Sequence, residues 1–187
     1  MRNYPALFLD RDGVINIDKN YVHQQKDCIF IDGIFDLVRN ANLLGYKVLV
    51  ITNQAGIARG YYTEQQFLDF SIWMKSEFVK HDSKIDEVYF CPHHPQFGEG
   101  QYKLFCNCRK PQPGMLLRAK ADFNIDMSKS ILIGDNLSDM GAANNASVNQ
   151  KYLFRPNKTN FSVISRNTDS KDLIDYITIN SLSQVML

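Results

Sequence analysis

The chain has 187 residues, close to the ~150 that one domain commonly takes, so a single domain spanning 1–187 is expected. Hydrophobic residues at 44% and charged residues at 22% exclude a disordered chain, and no apolar run nears the ~18 to 20 residues of a membrane span. Twenty-one Lys and Arg against 20 Asp and Glu leave +1, which excludes a global basic field for nucleic acid; a small-molecule substrate, no membrane partner and a monomeric state are expected.

Met1-Arg2-Asn3-Tyr4-Pro5 leads straight into an apolar stretch with no signal-peptide core, which points to the cytoplasm. That stretch, Ala6 to Leu9, reads as a first strand ending at Asp10. Ile34, Leu37, Val38, Ala41 and Leu44 then recur at helical steps, with Gly45 as the stop. A second buried run, 47–51, ends at Thr52-Asn53. Thr63-Glu64-Gln65-Gln66 has the form of a capping box, and Phe67, Phe70, Met74 and Phe78 continue a helical stripe. The third run, 87–90, ends at Cys91, where a long irregular connection, 91–114, begins. Pro113 opens a helix carrying Met115, Leu116, Ala119 and Phe123; the run 130–133 ends at Gly134-Asp135; a short helix covers 139–145; and a weaker run covers 151–154. From about Asn157 the tail is rich in Ser, Asn and Thr, and the residues after 179 are expected to be mobile. Continuous apolar runs alternating with amphipathic helices predict an α/β fold, a doubly wound parallel sheet.

Ligands of such a sheet bind outside the carboxyl ends of the strands. The polar groups there are Asp10 and Asp12, Thr52 and Asn53, and Asp135 with Asp139. A single Asp after a strand usually caps the next helix. Acids after two strands, Thr-Asn after a third and Arg109-Lys110 in the long loop are harder to credit to capping. Converging carboxylates repel unless a hard cation neutralises them, which points to Mg²⁺, and Lys110 with backbone N–H groups near Asn53 to Gly56 suits a phosphate. An Asp-x-Asp pair lets one carboxylate act as nucleophile and the other as general acid and base.

Asp10-Arg11-Asp12-Gly13-Val14-Ile15, Thr52-Asn53, Lys110 and Gly134-Asp135-x-x-x-Asp139 resemble the four motifs of the haloacid dehalogenase-like phosphatases. The segments 52–60, 91–95 and 106–115 narrow the resemblance to bacterial D-glycero-manno-heptose 1,7-bisphosphate 7-phosphatases, over nearly the whole chain to about residue 155. The resemblance implies a Rossmann-like core with a minimal cap. It makes Asp10 the nucleophile, Asp12 the acid and base, Thr52 and Lys110 the supports of the phosphoryl group, and Asp10, Asp12 (through its carbonyl) and Asp135 the Mg²⁺ ligands, with Asp139 behind them. Asp18, Lys19, Asn20 and Tyr21 and the loop Thr52, Asn53, Gln54 and Ala55 would contact the sugar. Arg109 suits the second phosphate, with Arg59 as another candidate. Asn136 stands where many relatives carry Lys, which weakens one phosphate contact. Ala146-Ser147 replaces a frequent Gly and bears only on capping.

Cys91-x-His93 and Cys106-x-Cys108, with twelve residues between the pairs, suit a closed tetrahedral Zn²⁺ site that holds Arg109 and Lys110 over the pocket. His94 is the fallback ligand. Cys28, His23 and His81 read as packing or surface residues. The expected reaction removes the C7 phosphate to give heptose 1-phosphate for nucleotide-activated heptose and lipopolysaccharide synthesis. Histidinol phosphate is the second substrate choice, and a phospho-acceptor receiver or a zinc-stabilised binding module is the non-enzyme alternative.

Overall fold

The computed structural model describes residues 3–98, 100–156, 164–166 and 174–187. Five strands lie on the apolar runs: β1 (Ala6–Leu9), β2 (Lys47–Asn53), β3 (Glu87–Cys91), β4 (Ile131–Gly134) and β5 (Gln150–Phe154). They are parallel and stand in the order β3-β2-β1-β4-β5, so the order reverses between β1 and β4. That reversal is where open α/β sheets bind ligands.

Helices cover both faces, as continuous apolar strands require. On one side α1 (Ile34–Leu43) and α3 (Glu64–Lys80) pack Ile34, Leu37, Val38, Phe70, Met74 and Phe78 against Leu7, Leu9, Val48, Val50, Ile131 and Ile133. On the other, α4 (Gly114–Phe123) and α5 (Leu137–Asn145) pack Met115, Leu116, Met140 and Ala143 against Phe8, Leu49, Ile51 and Leu132. Helix ends follow local chemistry. Gly45 takes φ +82°, with Gly45 N–H on Asn42 O and Tyr46 N–H on Ala41 O, a Schellman stop. Thr63 and Gln66 close the expected capping box.

Three elements have no counterpart in the sequence reading. A single turn, α2 (Ala55–Ala58), follows β2. In the tail, β7 (Asp175–Ile179) pairs parallel with β5, and β6 (Ile164–Arg166) pairs antiparallel with β7, making a seven-stranded sheet. The residues after Ile179, expected to be mobile, are docked: Ser181 and Gln184 form a capping box, and Leu182 is buried in the first core with Val185 and Leu187 against it. The remainder of the Ser- and Asn-rich tail, 157–163 and 167–173, lies outside the described residues. No helix among the described residues is long and apolar enough to cross a membrane.

Candidate active site and cysteine cluster

Asp10 follows β1, Asp135 follows β4, and Asp139 enters from the first turn of α5. One ligand atom from each lies within 4.8 Å of the other two. Gly13 permits this approach: its φ is +84°, and a Cβ there would stand 2.3 Å from Asp135 Oδ2. Lys110, with a side chain 3% exposed, places its ammonium among the acids. Its Nζ is 2.9 Å from Asp10 Oδ1, pairs with Asp139 Oδ1, and donates to Ile51 O at 2.9 Å. Three oxygens thus surround the ammonium. Asn53 fixes the Lys110 backbone, accepting its N–H at 3.0 Å and donating to its carbonyl at 3.3 Å.

Three carboxylates against one ammonium leave negative charge in excess in a dry place. Burial pushes the Asp10 carboxyl up to about 8; Lys110 pulls it down, and Asp139 and Asp135 push it further up. Burial and then Asp139 push Asp135 up to about 6. Burial alone would lower the Lys110 ammonium, but Asp10 and Asp139 outweigh it and raise it above its usual range. An all-carboxylate donor set in which burial and mutual repulsion raise Asp10 and Asp135 fits a hard dication. Capping falls to a neighbour, because exposed Asn136 is the N-cap of α5: its Oδ1 accepts Ser138 N–H at 3.0 Å, and its own N–H donates to Asp139 Oδ2 at 2.9 Å. Asp135 is thereby left free for a ligand.

Asp12 stands outside that trio. Its Oδ2 accepts from Arg11 Nη2 at 2.7 Å, Arg11 Nε at 3.1 Å and Gln54 Nε2 at 3.2 Å; its Oδ1 accepts from Asn16 Nδ2 at 3.1 Å. Gln54 also donates to Thr52 Oγ1 at 2.7 Å and accepts from the Tyr62 hydroxyl. The sequence reading did not single out Arg11, Asn16 or Tyr62. A basic residue set between two acids was the signal that could have found Arg11.

The other expected contacts sit around this centre. Asp18, Lys19, Asn20 and Tyr21 are exposed, and the Tyr21 ring meets Tyr61 edge-on at 4.5 Å, joining that loop to the end of α2. Ala55 opens α2 and Arg59 closes it, with the Arg59 guanidinium 3.8 Å from the Phe97 ring centroid. Arg109 Nη1 donates to His93 O at 3.3 Å. The side chains of Asn53 and Gln54 bond Lys110, Thr52 and Asp12, and the Gln54 N–H donates to Cys91 O at 2.8 Å. Beside Asp135 lies a cavity of about 620 Å³ lined by Gly13, Asp18, Phe154, Arg155 and Leu182.

In the long loop, Cys91, His93, Cys106 and Cys108 converge. Their sulfurs are 3.2 to 3.5 Å apart, and His93 Nδ1 is 3.3 Å from Cys108 Sγ and 3.7 Å from Cys91 Sγ. Zn–S bonds of about 2.3 Å in a tetrahedron set sulfurs about 3.8 Å apart, so the four residues need only a slight expansion. His94 is occupied elsewhere, its Nδ1 accepting from Gln96 and Phe97 N–H at 3.1 Å. Burial pushes the Cys91 thiol well up, whereas hydrogen bonds from Cys108 and the Arg109 backbone overcome burial and lower that of Cys106. Gly114 closes the loop, since a Cβ there would stand 2.3 Å from Asn107 O. Cys28, by contrast, packs at the edge of the first core.

A protein of Photorhabdus laumondii named D-glycero-beta-D-manno-heptose-1,7-bisphosphate 7-phosphatase is 46% identical over 181 residues, 97% of this chain and 93% of that one. The chain belongs to the heptose-bisphosphate phosphatase family. A Vibrio cholerae protein of the same name is 47% identical over 154 residues, 82% of this chain and 83% of its own. The crystal structure of a D,D-heptose 1,7-bisphosphate phosphatase from B. bronchiseptica, complexed with magnesium and phosphate, superposes with a TM-score of 0.71 at 28% identity, covering 80% of each chain. A HAD-hydrolase-like profile matches residues 107–150, the stretch holding Cys108, Lys110, Asp135 and Asp139. The family therefore shares the Rossmann-like core seen here.

Proposed function

We propose that the chain hydrolyses the C7 phosphate of D-glycero-β-D-manno-heptose 1,7-bisphosphate, releasing heptose 1-phosphate for nucleotide-activated heptose synthesis. The observation that carries the reading is the group of Asp10, Asp135 and Asp139 around the Lys110 ammonium at the β1/β4 reversal. The names of the relatives place this substrate ahead of histidinol phosphate. The relatives' names specify the β anomer, which supports the β bisphosphate as the substrate proposed here. The reduced cysteine cluster suits the cytoplasm.

Mg²⁺ held by Asp10, Asp135 and the Asp12 carbonyl would neutralise the acids and the phosphoryl oxygens. Asp10 Oδ attacks phosphorus, the bond from phosphorus to the C7 oxygen breaks, and that oxygen takes its electron pair and a proton from Asp12. Asp12 then takes a proton from water; the water oxygen attacks the aspartyl-phosphate, and phosphate leaves with Asp10 restored. Thr52 Oγ1 accepts from Gln54, so its own proton is free for a phosphoryl oxygen. Lys110 stabilises by charge, and donates to the phosphate by exchanging its contact with Asp10. Zn²⁺ on Cys91, His93, Cys106 and Cys108 would pin the loop that carries Arg109 and Lys110.

The test is side-by-side kinetics on the two heptose bisphosphate anomers and on histidinol phosphate, with Asp10→Asn as control. Preference for the β bisphosphate and loss of turnover in Asp10→Asn support the proposal. Preference for histidinol phosphate overturns the substrate, and parent-like turnover of Asp10→Asn overturns the nucleophile.

A further inference from the structure

We infer that Arg11 is a positioning residue for Asp12, setting where the acid and base carboxylate stands relative to the phosphoryl group; the inference rests on the mechanism above. Arg11 is fully buried, an uncommon place for a guanidinium unless it is paired. Its one carboxylate partner among the described residues is Asp12, met through Nε and Nη2, and its remaining contact is Nη2 to Val22 O at 2.6 Å. The guanidinium carbon lies 5.5 and 5.1 Å from the ring centroids of Phe67 and Phe70, so the fork also meets two aromatic rings.

The rest of the cage converges on the same carboxylate. Asn16 holds Oδ1 and Gln54 holds Oδ2. The Tyr62 hydroxyl donates to Gln54 Oε1, which fixes the amide so that its protons face Asp12 and Thr52. One side chain thus ties the acid to the residue that anchors the phosphate. Both oxygens of Asp12 are held by side chains other than those of the Asp10, Asp135 and Asp139 trio, which forms without it. A plain structural ion pair would have no reason to choose the one carboxylate that must hand a proton to the leaving oxygen. Misplacing that carboxylate by about 1 Å is enough to slow the step severely.

The distinction lies in the leaving group. Heptose departs as an alkoxide that needs the Asp12 proton; 4-nitrophenol departs as its stable anion and needs none. Arg11→Met keeps the stem between Phe67 and Phe70 and removes the fork. On the heptose bisphosphate it should lose about 10- to 100-fold in kcat/KM, and on 4-nitrophenyl phosphate less than about threefold, with the folded spectrum of the parent. Equal losses on both substrates, or none on the sugar, overturn the inference. Asp12→Asn, run in parallel, should show the same split more steeply. If Asp12→Asn is indifferent to the leaving group, the mechanism fails and the inference falls with it; if it shows the split and Arg11→Met does not, the positioning role alone fails. Should Arg11→Met not fold, Arg11→Lys keeps the charge without the fork and must still show the split. A lysine variant equal to the parent on both substrates overturns the inference.

Discussion

Replacing Lys110 by Met removes the ammonium and keeps a stem of similar length. The charge sits 2.9 Å from Asp10 Oδ1 and pairs also with Asp139, all three groups being nearly dry. At an effective dielectric of ~20, one such contact carries about 6 kcal/mol of attraction. Desolvation offsets part of it, and breaking a buried pair from one side costs about 3 to 5 kcal/mol in net stability. The loss depends on pH. Burial already lifts the Asp10 carboxyl from 3.8 to about 8, so the folded chain holds a proton that the unfolded chain releases, and Asp10 contributes less stability as pH rises between those values. Without Lys110 that window extends upward, so the variant should be hurt more at about pH 8 than at about pH 6. Urea unfolding followed by far-UV circular dichroism, in buffer free of Mg²⁺ but without chelator so that the cysteine cluster is undisturbed, measures the loss. Added Mg²⁺ should recover part of it. A cost below about 1 kcal/mol, or one indifferent to Mg²⁺, would show that the ammonium does not balance the acid group.

Arg109→Ala should lose about 10- to 100-fold in kcat/KM on the heptose bisphosphate, the worth of one charge-assisted contact, and change little on a small monophosphate. Equal losses on both substrates would place Arg109 in the catalytic machinery or the fold. Elemental analysis should find about one zinc per chain, and Cys106→Ser should lower it. Stripping the metal should raise KM before it alters the far-UV spectrum, because the first core is built without the loop and only Cys91, Cys106 and Cys108 of the loop's ligands reach the second; active protein free of zinc and iron would refute the cluster's role.

The parts of the fold legible in the sequence are those where one physical signal dominates. The five apolar runs, the capping box at Thr63 and the glycine stop at Gly45 are local and unambiguous. The acids at the ends of β1 and β4 followed from topology. What escaped the reading is non-local. Arg11 looks like a spacer inside Asp-x-Asp until Phe67 and Phe70 from α3 close over it. The resemblance sets Asn53 and Gln54 against the sugar, and only the folded chain adds that their side chains bond Lys110, Thr52 and Asp12. The polar edge strands of the tail carry too few consecutive apolar residues to announce themselves, and β7 forms because β5 offers it an open edge.

Leu182 tests whether the end of the chain belongs to the domain. It is 2% exposed, sits within reach of Gly33 at the start of α1, and joins Ile34, Phe154 and Ile179 in the first core. Trimming a buried leucine to alanine costs about 2 to 5 kcal/mol, rising with the cavity left behind. Here the side chain also walls the cavity beside Asp135, so water can enter the vacated space and the cost should fall near the lower end. At about 2 to 4 °C per kcal/mol for a chain of this size, Leu182→Ala should melt about 4 to 10 °C below the parent. Ser183→Ala, exposed in the same turn, should cost little. If Leu182→Ala melts with the parent, the residues after Ile179 contribute nothing to the core, and the cavity beside Asp135 would have to be redrawn without that wall.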